Sequence, residues 1–270
     1  MNKMKNKFNY GDSDLSVFDE AIKEYGWVVF ENALPEGFID EINDHLPVAY
    51  EFRRWMQVNN GIAADMTGTL HHLVEYGNFS LKFLEMKCCD SFIRHFLAGN
   101  YILNSLGAVI NVLDAKPYVQ LVHRDIRTFT GDFKIMIQMM VILDDFTIEN
   151  GATYLLSGSH KYADKPSDHH FYERADRLIA KKGSVVLFDS NLWHAAGKNT
   201  TDFPRKALTM AFTRPSFKQQ MDYPRLLGYE IGEYLSDDLK QLLGYNSRVP
   251  ANLDEYYQPV EKRMYKQGQG

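Results

Sequence analysis

Two cysteines in 270 residues, adjacent at Cys88 and Cys89, leave this chain with almost no sulfur chemistry. Neighbouring residues rarely bridge and offer no ligand spacing of their own, so neither a disulfide framework nor a thiolate metal site is expected, and both thiols read as free and buried. Long apolar runs are also missing: nothing approaches the roughly 20 residues that a membrane-spanning helix needs. Lys3, Lys5 and Lys7 are not followed by the apolar segment of a signal peptide and read as a solvated tail, so a cytoplasmic location is expected. A reducing compartment suits the free thiols. Basic runs are absent too, and with a net charge of −5 the chain has no lysine or arginine track for a phosphate backbone, which argues against nucleic-acid partners.

What is present is a large apolar fraction, 45% hydrophobic with 13% aromatic, enough for a substantial core. The pattern predicts one domain over residues 1–270, with core strands about 106–214 and helices packed before and after them. Asp12 or Ser13 is expected to cap a helix carrying Leu15, Phe18, Ile22 and Tyr25 on one face, ended by Gly26. A strand at Trp27 to Phe30 and a helix from Pro35 with Phe38, Ile42 and Leu46 follow. Residues 57–80, interrupted by Gly61, Gly68 and Gly77, read as a loop or lid. A short helix is expected around Phe92 to Leu97, then strands near Leu106 to Leu113 and over Ile135 to Leu143. Beyond Pro215 the chain turns helical, clearest over Ser236 to Leu243, and the tail from Gln258 reads as loose.

The chemistry lies in His123-Arg124-Asp125, in His194 71 positions later, and in Arg205 11 beyond that. Two positions apart on an extended segment, His123 and Asp125 share a face and can grip one ion, with His194 completing the set. Both histidines are expected at strand ends, after the apolar runs Tyr118 to Val122 and Ser184 to Phe188. Two imidazoles and one carboxylate on one face of a metal leave positions open, an arrangement suited to non-heme Fe(II) that must hold a co-substrate and dioxygen together. Arg205 opens a further strand running to Thr213, where a guanidinium can clamp a carboxylate by two parallel hydrogen bonds. A dicarboxylate co-substrate follows.

At these residues the chain resembles the phytanoyl-CoA dioxygenase family of iron- and 2-oxoglutarate-dependent oxygenases. The likeness rests on the HxD motif and on Asn150 to Lys161, Gly183 to Asp189, Trp193 to Asn199 and Phe203 to Thr209, with Gly26 to Pro35 as an opening strand. The resemblance implies a mainly β fold with flanking helices around a double-stranded β-helix core, of the jelly-roll or cupin-like kind. It implies Fe(II), 2-oxoglutarate and O2, and oxidation of an unactivated C–H bond with release of succinate and CO2. Some relatives carry a serine two residues after the distal histidine, where this chain has Ala196; Thr209, on the strand face of Arg205, is the alternative hydroxyl. Gln138 is a second candidate contact to the co-substrate, weighed against a hydrogen-bonded core glutamine.

Hydroxylation of a small metabolite or natural-product intermediate is the expected outcome, and Asp125 argues against halogenation, which replaces that carboxylate. Desaturation, epoxidation, cyclisation or epimerisation would use the same ligands. Two rivals of other classes are a cupin-like metal-dependent isomerase, which has no need of Arg205, and a non-catalytic sensor, which needs no intact triad. The mouth is expected from residues 57–80, the turn Arg127 to Asp132 and the polar insertion Lys161 to Lys182, with Arg127, Tyr76 and His72 as candidate substrate contacts. The adjacent His71 and His72 diverge too far for a second metal, and His160 reads as structural, or as a residue supporting the ligands from behind, rather than as a ligand itself. The oligomeric state is not legible.

Overall fold

The computed structural model describes residues 6–269, so Lys3 and Lys5 lie outside the described residues. Lys7 is not in a tail: it begins β1 (Lys7–Asn9), which pairs in parallel with β2 (Trp27–Glu31), and its ammonium meets Glu31 at 2.8 Å. The first half of the chain then runs through α1 (Leu15–Tyr25), β2 (Trp27–Glu31), α2 (Glu36–Asn59), β3 (Thr69–Leu70), α3 (Phe79–Glu85), α4 (Asp90–Leu97) and β4 (Ile102–Asn111). The second half adds β5 (Met136–Ile142), β6 (Tyr154–Leu155), α5 (Asp168–Arg174), β7 (Asp176–Arg177), β8 (Val185–Asp189), β9 (His194–Ala195) and β10 (Arg205–Thr213). It closes with α6 (Tyr223–Leu227), α7 (Asp237–Leu243) and α8 (Leu253–Tyr256).

Seven strands form a large sheet in the order β1-β2-β8-β5-β10-β4-β3, and a small sheet β7-β6-β9 covers part of it. Alternation along β5 shows how. Ile137, Met139 and Val141 join the core shared with α1, α2, α3, α4 and α7, whereas Met140 and Ile142 join the core under the small sheet. A strand covered on both faces must be apolar at nearly every position, and this is why β5 and β8 read as unbroken hydrophobic runs. Gln138 interrupts β5 on the face toward the small sheet. Leu187 of β8 is fully buried on the helical side, and Leu187→Ala there would cost about 2–5 kcal/mol.

Local chemistry sets the boundaries. Asp14, not Asp12 or Ser13, caps α1 by accepting from the backbone N–H of Ser16 and Val17; Asp12 closes a single 3-10 turn instead, and Leu15 is exposed. Gly26 ends α1 at φ +82°, and a side chain there would run into the buried His160 ring. Pro35 is itself the cap of α2, which continues to Asn59 and takes the start of the expected lid. β4 begins four residues before the expected Leu106.

Two further expectations fail. Tyr118 to Val122 is not a strand: Tyr118–Gln120 is a 3-10 turn, begun by Pro117 and closed by Gln120 N–H to Pro117 O at 3.0 Å and Leu121 N–H to Tyr118 O at 2.9 Å. The tail from Gln258 is not loose either. Ser247 and Tyr265 form a bridge, and the buried Gln269 exchanges hydrogen bonds of 2.8 Å with Gln241.

Candidate active site

With no strand before it, His123 is held by another device. Its backbone N–H donates to His194 O at 3.0 Å and its carbonyl accepts from His194 N–H at 2.8 Å. Residues paired in this way in an antiparallel ladder carry their side chains on one face, and the two imidazole centroids stand 4.3 Å apart. Asp125 lies against both, Oδ1 at 3.8 Å from His123 Nε2 and Oδ2 at 3.6 Å from His194 Nε2. One ligand atom from each of the three falls within 4.8 Å of the others, the one such group of three found among the described residues.

The protonation pattern follows from the second ring nitrogens. His123 Nδ1 lies 2.7 Å from Leu121 O, and His194 Nδ1 lies 2.9 Å from Leu192 O. A carbonyl only accepts, so both Nδ1 atoms carry the proton and both Nε2 atoms turn a lone pair toward the centre of the triad. Burial, followed by the neighbouring His123, pushes His194 down to about 4, which keeps it neutral as a metal ligand must be. His194 is buried while Asp125 reaches solvent, so the triad faces a metal from one side and leaves the other side accessible.

That accessible side is a cavity of roughly 210 Å³ lined by the triad together with Gln138, Arg205 and Thr209. Arg205 is its most unusual feature. The side chain is 2% exposed, its Nε and Nη2 have no partner, and the guanidinium lies 4.2 Å from the centroid of Phe146. Burial pushes it down to about 9, opposed by Asp144, so it remains a cation at neutral pH. Asp144 makes no hydrogen bond or ion pair with it; its oxygens face Lys206, the backbone N–H at 2.8 Å and the ammonium at 3.7 Å. A buried cation with idle donors is costly unless an anion completes it. The residues therefore fit Fe(II) at the triad and a carboxylate at Arg205.

The remaining candidates divide. Thr209 shares the cavity face of β10 with Arg205 and is paired with Gly107, where any side chain would strike Leu70 O. Gln138 lines the cavity and donates from Nε2 to Ser190 Oγ at 3.3 Å, so it is both a satisfied core amide and a wall of the site. His160 is buried beneath Gly26 and is neither a member of the triad nor a cavity-lining residue. Of the three expected mouth segments only the first contributes lining residues, Thr69, His71 and His72. Residues 161–182 fold outward as α5 and β7, and 127–132 is tied to Asn191, so neither lines the cavity. Tyr76 borders a different recess, and Arg127 lines neither. Sequence reasoning missed Ser105, Tyr118 and Gln220; Gln220 lies beyond the last core strand, with no local motif to mark it.

A jelly-roll of two sheets holding a two-histidine, one-carboxylate triad beside a buried arginine defines a non-heme iron oxygenase. Residues 22–207 match the phytanoyl-CoA dioxygenase (PhyH) family, and the chain belongs to it, as an iron- and 2-oxoglutarate-dependent dioxygenase. It is 32% identical to an uncharacterised protein of Mycobacterium tuberculosis, over 96% of this chain and 97% of that one. It is 24% identical to the dioxygenase cdmA of Talaromyces verruculosus, over 85% and 83% respectively. Among solved structures, HygX from Streptomyces hygroscopicus, with nickel and 2-oxoglutarate bound, shares the fold at a TM-score of 0.58 and 14% identity, over 75% of this chain and 88% of that one. No helix of the described residues is long and apolar enough to cross a membrane.

Proposed function

We propose that this chain is a single-domain cytoplasmic enzyme that hydroxylates an unactivated C–H bond of a small metabolite or natural-product intermediate. His123, Asp125 and His194 hold the metal through Nε2, a carboxylate oxygen and Nε2. Arg205 binds the distal carboxylate of 2-oxoglutarate, with the Thr209 hydroxyl beside it and Gln138 on the neighbouring strand. When bound, iron and 2-oxoglutarate would let dioxygen oxidise the C–H bond, one oxygen atom going to the product and the other to the succinate formed as 2-oxoglutarate loses CO2.

The chain's own groups do three things. The carbonyls of Leu121 and Leu192 keep the imidazole protons on Nδ1, so no proton must leave before the metal is held. Arg205 orients the co-substrate by pairing two charges in a dry setting, where the attraction is far stronger than in water. The apolar walls, among them Met139, Met140 and Phe188, keep water from the oxidising side.

One observation carries the reading: a buried guanidinium with unpartnered nitrogens opens on the cavity that holds the triad. An isomerase has no use for it, and a non-catalytic sensor has no need of an intact triad with its clamp. Release of succinate from 2-oxoglutarate, dependent on Fe(II) and stimulated by a metabolite that gains one oxygen atom by mass spectrometry, is the expected result. Product of unchanged mass, or succinate release indifferent to iron, would overturn it.

A further inference from the structure

Only Asp125 and Arg205 carry formal charge among the side chains lining the cavity, and the reading above assigns the first to the metal and the second to the co-substrate. Hydroxyl, amide and imidazole groups remain, among them Ser105, Tyr118, Gln220, His71 and His72. No lysine lines the space. A phosphate, sulfate or carboxylate on the primary substrate would lose its water there with no cation to meet it, which is strongly unfavourable.

His72 is the most firmly placed of these groups. Its backbone has φ +55°, uncommon for a residue with a side chain, and Arg53 secures it. The Arg53 Nε donates to His71 O at 2.8 Å and its Nη2 to His72 O at 2.6 Å, while Glu75 lies 3.0 Å from the same Nη2. The nearby guanidinium is thus engaged with carbonyls and a carboxylate rather than offered to a ligand. On the ring, His72 Nδ1 lies 3.4 Å from the hydroxyl of the buried Tyr223, which already accepts from the Leu106 N–H at 3.2 Å. Among the described residues His72 Nδ1 is the one acceptor within reach of the buried Tyr223 hydroxyl, so its proton goes there, and a neutral imidazole accepting at Nδ1 carries its own proton on Nε2. Burial, then His71 and Arg53, hold the ring neutral. His72 offers an N–H where His123 and His194 offer lone pairs.

We propose that His72 Nε2–H recognises the primary substrate, and that this substrate is an uncharged compound presenting a hydroxyl, ether or carbonyl oxygen. The proposal rests on the functional reading above. It also gives the C-terminal extension a role: Tyr223 lies in α6, beyond the 22–207 family match, and orients a group in the cavity wall.

The test uses the full-length chain loaded anaerobically with Fe(II) and 2-oxoglutarate, whose visible charge-transfer band reports the chelate. Probes are matched pairs of glycosides, polyols and lactones, each beside its phosphorylated or carboxylated counterpart. Uncharged members should perturb the band, with charged counterparts binding at least about tenfold more weakly. His72→Phe should raise the apparent Kd of the best uncharged probe about tenfold while the 2-oxoglutarate band stays in place. His72→Asn, an amide donor that tolerates left-handed backbone, should restore part of the loss. Preference for charged members, full probe binding by His72→Phe, or a normal chelate on which no uncharged compound registers would each overturn the proposal. Failure of the wild-type chelate to form would instead remove the reading beneath it.

Discussion

His123 and His194 on one wall of the cavity, and His71 and His72 on another, differ in what their second ring nitrogens are bonded to. In the first pair both Nδ1 atoms donate to carbonyls two residues back, and both Nε2 lone pairs converge with Asp125. In the second pair, His71 Nε2 lies 3.3 Å from the Tyr118 hydroxyl and His72 Nδ1 lies 3.4 Å from that of Tyr223, and neither ring pairs with a carboxylate among the described residues. Adjacent residues send their rings apart, whereas residues 71 positions apart are brought onto one face by two backbone hydrogen bonds. Histidines become ligands through the strand pairing that aligns them and the carbonyls that set their tautomer, not through proximity in sequence.

The largest effect expected from breaking this contrast is at the triad. Asp125→Ala should abolish Fe(II)-dependent succinate release, a loss of about a thousandfold or more, or roughly 4 kcal/mol, and no mutation of His71 should match it. Arg205→Met comes next. It should weaken 2-oxoglutarate binding by about 2–5 kcal/mol, measured by calorimetry on the metal-loaded protein. It should also raise the melting temperature of the ligand-free protein, because an apolar chain replaces an uncompensated buried charge. Saturating 2-oxoglutarate, worth about 2.7 kcal/mol at a hundredfold excess over Kd, should stabilise the wild type and not the variant.

A third kind of histidine sharpens the comparison. His160 is 5% exposed, coordinates nothing, and is pushed by burial down to about 4. Its folded pKa lies below the unfolded value, so its contribution is fully present above about pH 6.5 and is lost as pH falls toward 4, on the order of 3 kcal/mol in all. Denaturant midpoints taken between pH 7 and 4 should fall less steeply in His160→Gln than in the wild type. The smallest expected effect is that of Thr209→Val, which removes one hydroxyl beside Arg205. It should weaken 2-oxoglutarate binding by about 0.5–1.5 kcal/mol with the fold intact.

The part of the cavity holding the triad and Arg205 was legible in the linear order, and the part lined by Ser105, Tyr118 and Gln220 was not. His123, Asp125, His194 and Arg205 could be read because each sits on or beside a segment with its own signal: a motif, a doubly covered strand or a strand start. Even there the means was misjudged, since His123 hangs on a bridge to His194 rather than on a strand of its own. Ser105, Tyr118 and Gln220 carry no such signal, because their place depends on β3 closing over β4 and on the C-terminal segment returning across it. The expected lid at Lys161 to Lys182 fails for the opposite reason. Charge and polarity marked it as surface, which it is, but surface on the outer side of the small sheet, where Tyr172 and Phe171 tie it down beside Tyr154.

Anaerobic titration of 2-oxoglutarate into the Fe(II)-loaded protein, followed by visible absorption, tests the central claim most directly. A charge-transfer band that saturates at one equivalent, is absent in Asp125→Ala and needs far more 2-oxoglutarate in Arg205→Met is the predicted result. A wild-type protein that shows no such band, or a band that survives loss of Asp125 unchanged, would contradict the account.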